Sequence, residues 1–188
     1  MTSKAFYRLL ADPAIENPWF LKSPVDPSGR EIDARIFTNG VPVPSQPHLQ
    51  IPVGVHGARV GFNLAAFDMV VLPAAINQEL QRLVGSSIQR IPVVIDEDDR
   101  FEILNVCELV ECLDDSRSGV QRWTTMDGRP EKVGQYRMVV GLKIDGTLAQ
   151  GRHIFRVAGW EIGLIVSDDV KRLFEDHDLT GVVYQRVD

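Results

Sequence analysis

The carboxylates are the chemically active side chains that this sequence concentrates in one place. Between Val93 and Ser116 there are nine acidic residues and one basic residue, a net charge of −8 on a chain whose total is −6. Such a segment is either a solvated hairpin whose charges prevent edge-to-edge strand pairing, or a surface that attracts a basic partner. For the second alternative, the candidate partner-binding residues are Asp96, Glu97, Asp98, Asp99, Asp114 and Asp115.

Nucleophiles and bases are present, but they form no recognisable catalytic motif. The sequence has no Gly-x-Ser-x-Gly elbow, no phosphate-binding glycine loop and no histidine pair at the i, i+4 spacing of a helical zinc site. Cys107 and His153 could meet in space, but Cys107 lies in an apolar run, where cysteine is more often a buried core residue. We therefore predict no catalytic residue, no metal site and no cofactor, and we interpret His48, His56 and His177 as surface or helix-end residues.

The two cysteines, Cys107 and Cys112, are predicted to stay reduced. Their spacing of five places them on opposite faces of an extended strand, a geometry that does not favour a disulfide. Buried, reduced thiols fit a bacterial-type cytosol.

The bulk composition is that of an ordinary globular protein. The 188 residues are 44% hydrophobic and 24% charged, which is typical of one folded domain and of neither a disordered nor a fibrous chain. The negative net charge argues against a nucleic-acid or membrane partner, because both attract basic surfaces. Residues 1–10 have no targeting pattern, and no apolar run is long enough to span a bilayer. The predicted location is therefore the cytoplasm.

Residues 1–62 are rich in proline and poor in helix signals. Because each proline removes a backbone donor and fixes φ, this portion is predicted to form short strands and ordered loops. The best strand candidates are residues 4–10 and 49–55. Five apolar loop residues are expected to pack on the core: Trp19, Phe20, Ile32, Ile36 and Phe37.

Residues 63–188 are predicted to form an α+β core. One helix covers residues 73–84, with Pro73 in its first position, and a second covers 168–176, with Ser167 as its N-cap. Strands are predicted at 89–95, 100–113, 138–144, 154–158, 161–166 and 180–187, with a turn at Asp96–Asp99 between the first two. In 138–144 the even-numbered apolar residues define the buried face. The fold class is thus α+β, one domain over 1–188, mostly antiparallel sheet with two main helices.

Two tryptophans, Trp123 and Trp160, are candidate interface anchors, because tryptophan is enriched at binding hot spots. The chain has three tryptophans. Packing in the core is the more frequent role, and it is the one that we expect for both.

Several motifs resemble the bacterial immunity protein 11 family. One of them is His153-Ile154-Phe155-Arg156-Val157-Ala158-Gly159-Trp160, and the others are residues 62–64, 89–93, 101–106, 112–118, 133–138, 164–167 and 179–182. In order and spacing they cover nearly the whole chain, from about Tyr7 to Val187.

The resemblance implies a small protein encoded beside a polymorphic toxin, which it binds and silences, without catalysis, in the cytoplasm of the producing cell. It implies structural roles for the shared residues, with Gly134, Gly159 and Gly181 at turns and Phe155 and Trp160 in the core. It assigns no binding residue and does not identify the toxin. The acidic residues suit a toxin that acts on nucleic acid, since such toxins present basic surfaces.

Two other functions are compatible with the sequence. One is a small hydrolase or transferase that uses Cys107 or His153 to reverse a toxin's modification, and the other is a protein-binding scaffold independent of any toxin. A concave pocket with a polar cluster around either residue would favour the enzyme. An exposed acidic or aromatic face would favour a binding protein.

Overall fold

The computed structural model describes residues 5–46 and 48–188. Most of its regular structure lies in two five-stranded sheets and two α-helices. The strand predicted at residues 4–10 covers Phe6–Ala11. Lys4, at the start of that prediction, lies outside the described residues, as does Pro47.

The elements follow one another along the chain in an irregular order. The first half contains β1 (Phe6–Ala11), β2 (Phe20–Leu21), β3 (Leu49–Gln50), β4 (Val53–Val55), β5 (Asn63–Leu64), β6 (Val70–Pro73), α1 (Ala74–Val84) and β7 (Ile88–Ile95). The second half contains β8 (Asp98–Val106), β9 (Leu109–Val110), β10 (Gly119–Arg122), β11 (Tyr136–Val140), β12 (Ile154–Val157), β13 (Trp160–Ser167), α2 (Asp168–Asp176) and β14 (Val182–Arg186).

The two large sheets are built from strands that are distant in sequence. Sheet I has the order β14-β1-β13-β12-β9 and sheet II the order β3-β7-β8-β6-β5, while β2–β4 and β10–β11 form separate pairs. The pairings among the described strands are antiparallel, apart from β9–β12 and β3–β7. The predicted class, α+β with mostly antiparallel sheet and two main helices, is confirmed.

Each large sheet is apolar on both faces. Successive side chains of a strand point to opposite faces, yet Val71, Leu72, Leu164 and Ile165 are all buried. Leu72 of sheet II and Leu164 of sheet I belong to one core that both sheets share with α1 and α2. Val71 belongs to a second core under the N-terminal loops, and Ile165 to a third under the β10–β11 pair. Each sheet is therefore covered on two sides.

The proline-rich N-terminal portion supplies one of these covers. Trp19 and Phe37 are buried in the second core, and Ile32 and Ile36 are partly buried against it, as predicted. Phe20 is exposed instead, because the other residue of β2 takes the buried side of the strand. The division of the chain at residue 62 stays a prediction.

Both predicted helices form. The bounds of α2 match, whereas α1 begins one residue later than predicted, because Pro73 ends β6 and occupies the N-cap position. Ser167 sits at the N-cap of α2, but its side chain does not cap the helix, contrary to prediction. Asp168, in the first turn, accepts hydrogen bonds from the Ala5 N–H at 3.1 Å and the Tyr7 hydroxyl at 2.9 Å. These bonds fasten α2 to the N-terminal strand.

Three predicted strands are broken or shorter. Strand 49–55 is split into β3 and β4, which pair with different sheets. Strand 100–113 is interrupted after Val106, where the chain leaves sheet II and then enters sheet I as β9. Strand 138–144 stops at Val140, because Gly141 has a φ of 60°. The prediction that the even-numbered residues of this strand are buried was also wrong here, since Val139 is buried and Met138 and Val140 are exposed.

A fully buried arginine joins the two sheets. Arg156 of β12 donates from Nη1 to the Glu161 carbonyl at 2.7 Å and from Nη2 to the Asp68 carbonyl at 3.4 Å. Burial lowers the pKa of Arg156 to about 10, although the nearby Asp68 and Glu161 favour its charged form. Phe67 and Asp68, just before β6, both have positive φ. Arg156 therefore holds a strained turn of sheet II against sheet I.

Gly181 is expected to be a sensitive position. It has a φ of 83°, and a Cβ there would lie 2.7 Å from Val60 Cβ and 3.0 Å from the Phe62 carbonyl oxygen. Gly151 has a similar φ of 78°, but a Cβ would meet nothing within 4 Å. Gly181→Ala should lower the free energy of unfolding by about 2–4 kcal/mol, since strain and overlap add, and Gly151→Ala by about 1 kcal/mol. Urea unfolding measures both, and equal losses would contradict the close approach at Gly181.

Candidate functional site

The acids Asp96–Asp99, here called the acidic turn, join β7 to β8. Asp96 and Glu97 have φ values of 48° and 65°. These two residues form the whole turn in which the chain reverses direction, because Ile95 before it pairs with Asp98 after it. Two consecutive positive φ values give a two-residue turn whose twist matches the flanking strands. The predicted turn is therefore in the right place but two residues shorter, and its last two acids begin β8.

Two arginines compensate part of the acidic turn. Asp98 accepts a hydrogen bond from Arg100 Nη2 at 2.8 Å and lies 3.6 Å from Arg59 Nη1. The hydrogen bonds from Arg100, with the positive charges of both arginines, lower the pKa of Asp98 to about 2. Arg59 Nη2 also lies 3.3 Å from an Asp96 oxygen. Asp98 is thus an ionised and largely internal partner of Arg59 and Arg100.

The other two acids of the turn, Glu97 and Asp99, are exposed and form no ion pair with any residue in 5–46 or 48–188. Asp99 borders an open groove with a volume of about 650 Å³. Val60, Ala75 and Phe101 supply apolar lining, and the groove is also bordered by Pro73 and the start of α1. Arg59 and Arg100 also border the groove. An exposed carboxylate beside a partly apolar concavity can hold a side chain of a partner.

Asp114 lies outside this region. It accepts hydrogen bonds from Ser116 Oγ at 2.6 Å and Arg117 Nε at 2.6 Å, which hold its pKa well below the usual value. Along the chain it is separated from the acidic turn by the rest of β8, residues 100–106, which span about 23 Å, and by the crossing to sheet I. Its carboxylate organises its own loop.

Asp115 holds the β10–β11 pair in place. Its Oδ2 accepts a hydrogen bond from Arg122 Nη2 at 2.6 Å and its Oδ1 one from the Tyr136 hydroxyl at 2.7 Å. Arg122 belongs to β10 and Tyr136 to β11. The two bonds lower the pKa of Asp115, Arg122 contributing more. The guanidinium of Arg122 also lies 4.1 Å from the centre of the Tyr136 ring.

Two other acids of the −8 segment, Glu102 and Glu108, have partners inside the fold. Glu102, which is buried, accepts two hydrogen bonds of 2.8 Å from Arg90 on the neighbouring strand. Glu108 accepts a hydrogen bond from Ser87 and pairs with Arg152 at 3.2 Å. The structure therefore divides the acidic segment into separate local sets, and among the described residues exposed acids without an ion pair remain in the acidic turn (Glu97 and Asp99) and at Glu111. That any of them contacts a partner stays a prediction.

The surroundings of Cys107 and His153 differ from those of a nucleophile and its base. Cys107 is half-buried rather than fully buried as expected, its Sγ lies 3.5 Å from the Asn105 carbonyl, and burial raises its pKa. His153 Nδ1 lies 3.1 Å from Ser167 Oγ and 3.4 Å from Asp169 Oδ2. A hydrolytic triad places nucleophile and acid at opposite ring nitrogens, and Ser167 is fully buried.

Cys112 is fully buried, and burial raises its pKa to about 11. Both cysteines are free, as predicted. Among residues 5–46 and 48–188, no group of three or more histidine, cysteine or carboxylate side chains is arranged to hold a metal ion. His48 and His56 are exposed, and His177 follows the last residue of α2, as interpreted from the sequence.

The tryptophans separate into core and surface residues. Trp160 is buried in the third core, as expected, with the Arg8 guanidinium 4.7 Å from its ring centre. Trp123 is only half-buried, so its predicted core role is wrong. Its ring is contacted by Arg137 at 4.8 Å and Lys132 at 5.4 Å. The sequence signal for this surface cluster is the excess of basic over acidic residues between Arg122 and Arg137, four against two.

The fold and surface together define a class, an α+β protein with charged surface clusters and an open groove. Residues 96–188, about half of the chain, match the model of the immunity protein family (Imm11). The chain belongs to this family, and the matched region runs from the acidic turn through β14. The upstream motifs at residues 62–64 and 89–93 lie outside it. No curated protein matches the chain.

A separate observation concerns membranes. In the part of the chain that the structure describes, no helix is both long enough and apolar enough to cross a bilayer.

The cysteines are expected to be dispensable for chemistry. Cys107→Ala and Cys112→Ala should each cost about 1 kcal/mol of stability through lost packing, with the larger loss at the fully buried Cys112. Because the pKa of Cys112 is raised, iodoacetamide at pH 8 should modify it only after unfolding, as mass spectrometry would detect. Rapid modification of native Cys112 would contradict its burial. A folded Cys107→Ala variant that no longer protects cells from a toxin would favour the enzyme.

Proposed function

We propose that this protein binds a toxin domain encoded beside it and neutralises that domain by occlusion, without catalysis, in the cytoplasm of the producing cell. The observation that carries the proposal is the match of residues 96–188 to the immunity protein family. A protein of this kind must leave almost no toxin free, because unbound toxin damages its own producer. The interaction is therefore expected to be tight.

Occlusion is supported over chemical reversal of damage by the state of the candidate nucleophiles. A raised pKa keeps Cys107 and Cys112 protonated at neutral pH, and the thiol is a much weaker nucleophile than the thiolate. Ser167 is fully buried beside His153. The open groove next to the acidic turn, in contrast, is accessible and is lined by none of these residues.

We place the acidic turn on the face that meets the toxin. Glu97 and Asp99 carry charges without internal partners, and the adjoining groove offers apolar contact to a bound side chain. A basic toxin surface would be attracted by these charges, which act mainly on the rate of association. Asp114 and Asp115 form a second proposed group. Since both are held by arginines, their contribution would depend on the loops that they organise.

The central test is co-expression with the toxin domain encoded by the adjacent reading frame. This protein should restore growth and co-purify with that domain, with a Kd on the order of 1 nM or below. Isothermal titration of the purified partners gives the constant and the stoichiometry. Continued killing with this protein in excess, and no complex, would refute the proposal.

Neutralising the unpaired acids should slow association. In the double variant Glu97→Gln with Asp99→Asn, the association rate at low salt should fall by about threefold to tenfold, and its salt dependence should flatten, because attraction at a distance is reduced. Stopped-flow kinetics over a salt series measures both effects. The melting temperature should stay close to the wild-type value, since neither acid has an ion-pair partner among the described residues.

The matched control removes two charges elsewhere. Glu111→Gln with Asp176→Asn changes exposed acids, one after β9 and one beside Leu83, at the opposite end of α1 from the groove. This control has the same net charge as the test variant and should associate at nearly the wild-type rate. If both double variants slow association equally, only net charge matters. If neither does, the acidic turn is a solvated hairpin.

A further inference from the structure

The β10–β11 pair and its connecting loop form a unit with distinct inner and outer faces, here called the basic hairpin (residues 119–140). The inner face packs on the third core through Val139. The outer face carries Met138 and Val140, which are 49% and 59% exposed. Cross-strand pairing sets Gln121 opposite Met138 and Gly119 opposite Val140. The two apolar side chains therefore lie on a face that nothing in the described chain covers.

The connecting loop adds a further apolar side chain in a fixed position. Met126 is 92% exposed and belongs to a short 3-10 turn at Thr125–Asp127. Asp127 accepts hydrogen bonds from the Thr124 N–H and hydroxyl, both at 2.8 Å, and pairs with Arg137. These contacts anchor the loop to β11. The capped turn fixes the backbone at Met126, so that the ordering required for binding is confined to the side chain itself.

Basic residues outnumber acidic ones in the basic hairpin. The hairpin contains four basic and two acidic residues, a net charge of +2 within a chain of −6. Lys132 has no ion pair within residues 5–46 and 48–188, and the pairing of Arg129 with Glu131 is long, at 3.9 Å, between largely exposed side chains. A partner surface that is complementary in charge must place carboxylates at the rim.

We propose that the outer face of the basic hairpin is a docking surface for a protein whose matching face has an apolar centre rimmed by carboxylates. The inference rests on the proposed function, in which that protein is the toxin domain. Methionine, tryptophan, tyrosine and arginine are the residues enriched at the centre of protein interfaces, and all four occur in these 22 residues. The acidic turn then accelerates encounter, while the hairpin supplies buried contact.

The hairpin suits a protein better than a nucleic acid. Binding of single strands depends on aromatic rings that are open to stacking bases. Here the rings of Trp123 and Tyr136 are contacted by the hairpin's own cations, and the large apolar side chains that are exposed are those of methionine and valine. These side chains offer apolar area without a stacking platform.

The test uses the full-length protein and the toxin domain from the adjacent reading frame. Met126→Asp and Met138→Asp should each weaken binding at least about tenfold, because a charge would be buried in the apolar centre. Leu83→Asp is the matched control, since it makes the same kind of change at a side chain 38% exposed on α1. It should bind like the wild type. Lys132→Glu should weaken binding, and Lys132→Arg should retain it.

The outcomes separate the two proposals. If the wild type forms no complex, the proposed function fails and this inference fails with it. If the wild type binds, and the folded Met126→Asp and Met138→Asp variants bind equally well, the hairpin is not the docking surface, while the proposed function stands. Thermal melts establish folding, and Met126→Asp should melt as the wild type does, given its exposure. Saturable binding of a labelled 20-nucleotide single strand, lost in Lys132→Glu, would overturn the assignment of a protein partner.

Discussion

The organisation of this protein depends on one constraint, which is that both large sheets are apolar on both of their faces. Leu72 and Leu164 can share a core between the sheets, but Val71 and Ile165 point away from that core and are equally buried. An antiparallel sheet often exposes one face to water. Here each sheet needs a second cover, and the chain provides it from segments with little regular structure of their own.

The segments that cover the outer faces of the two sheets determine where the exposed apolar side chains of the basic hairpin lie. The N-terminal loops close sheet II, and the basic hairpin closes sheet I through Val139. A two-stranded hairpin is only marginally stable alone, so its inner face must pack on the core and Asp115 must join its two strands. The outer face of the basic hairpin does not have to pack on the core. Its Met138 and Val140 are exposed, which makes them available for recognition.

The sequence predicted elements wherever local signals agreed with tertiary packing. The bounds of α2 were predicted correctly because its apolar stripe and the acids of its first turn indicate the same helix. The predicted start of α1 was one residue too early. Local sequence signals did not predict the strand ends that depend on tertiary structure. Gly141 ends β11 through a positive φ that an alternating pattern does not reveal, and Val106 is followed by a crossing between sheets. The acidic cluster was visible as composition, but pairing by Arg59, Arg100, Arg117 and Arg122 was not. Arg100 and Arg117 are two and three residues from the acids that they bind. Arg59 and Arg122 are 37 and seven residues from theirs, and only the fold brings these two to the acids.

Local charge, rather than net charge, governs what such a surface can bind. At 0.1 M salt, interactions between exposed charges are largely screened beyond about 10 Å, so a docked partner senses the residues that it touches and few others. The total of −6 combines an acidic turn with two uncompensated carboxylates and a hairpin of net charge +2. Arguing from the total alone would assign a purely basic partner. Under the proposed function, the toxin surface is expected to carry charges of both signs, matched to each surface separately, and such a requirement discriminates among partners more strongly than a single attractive patch would.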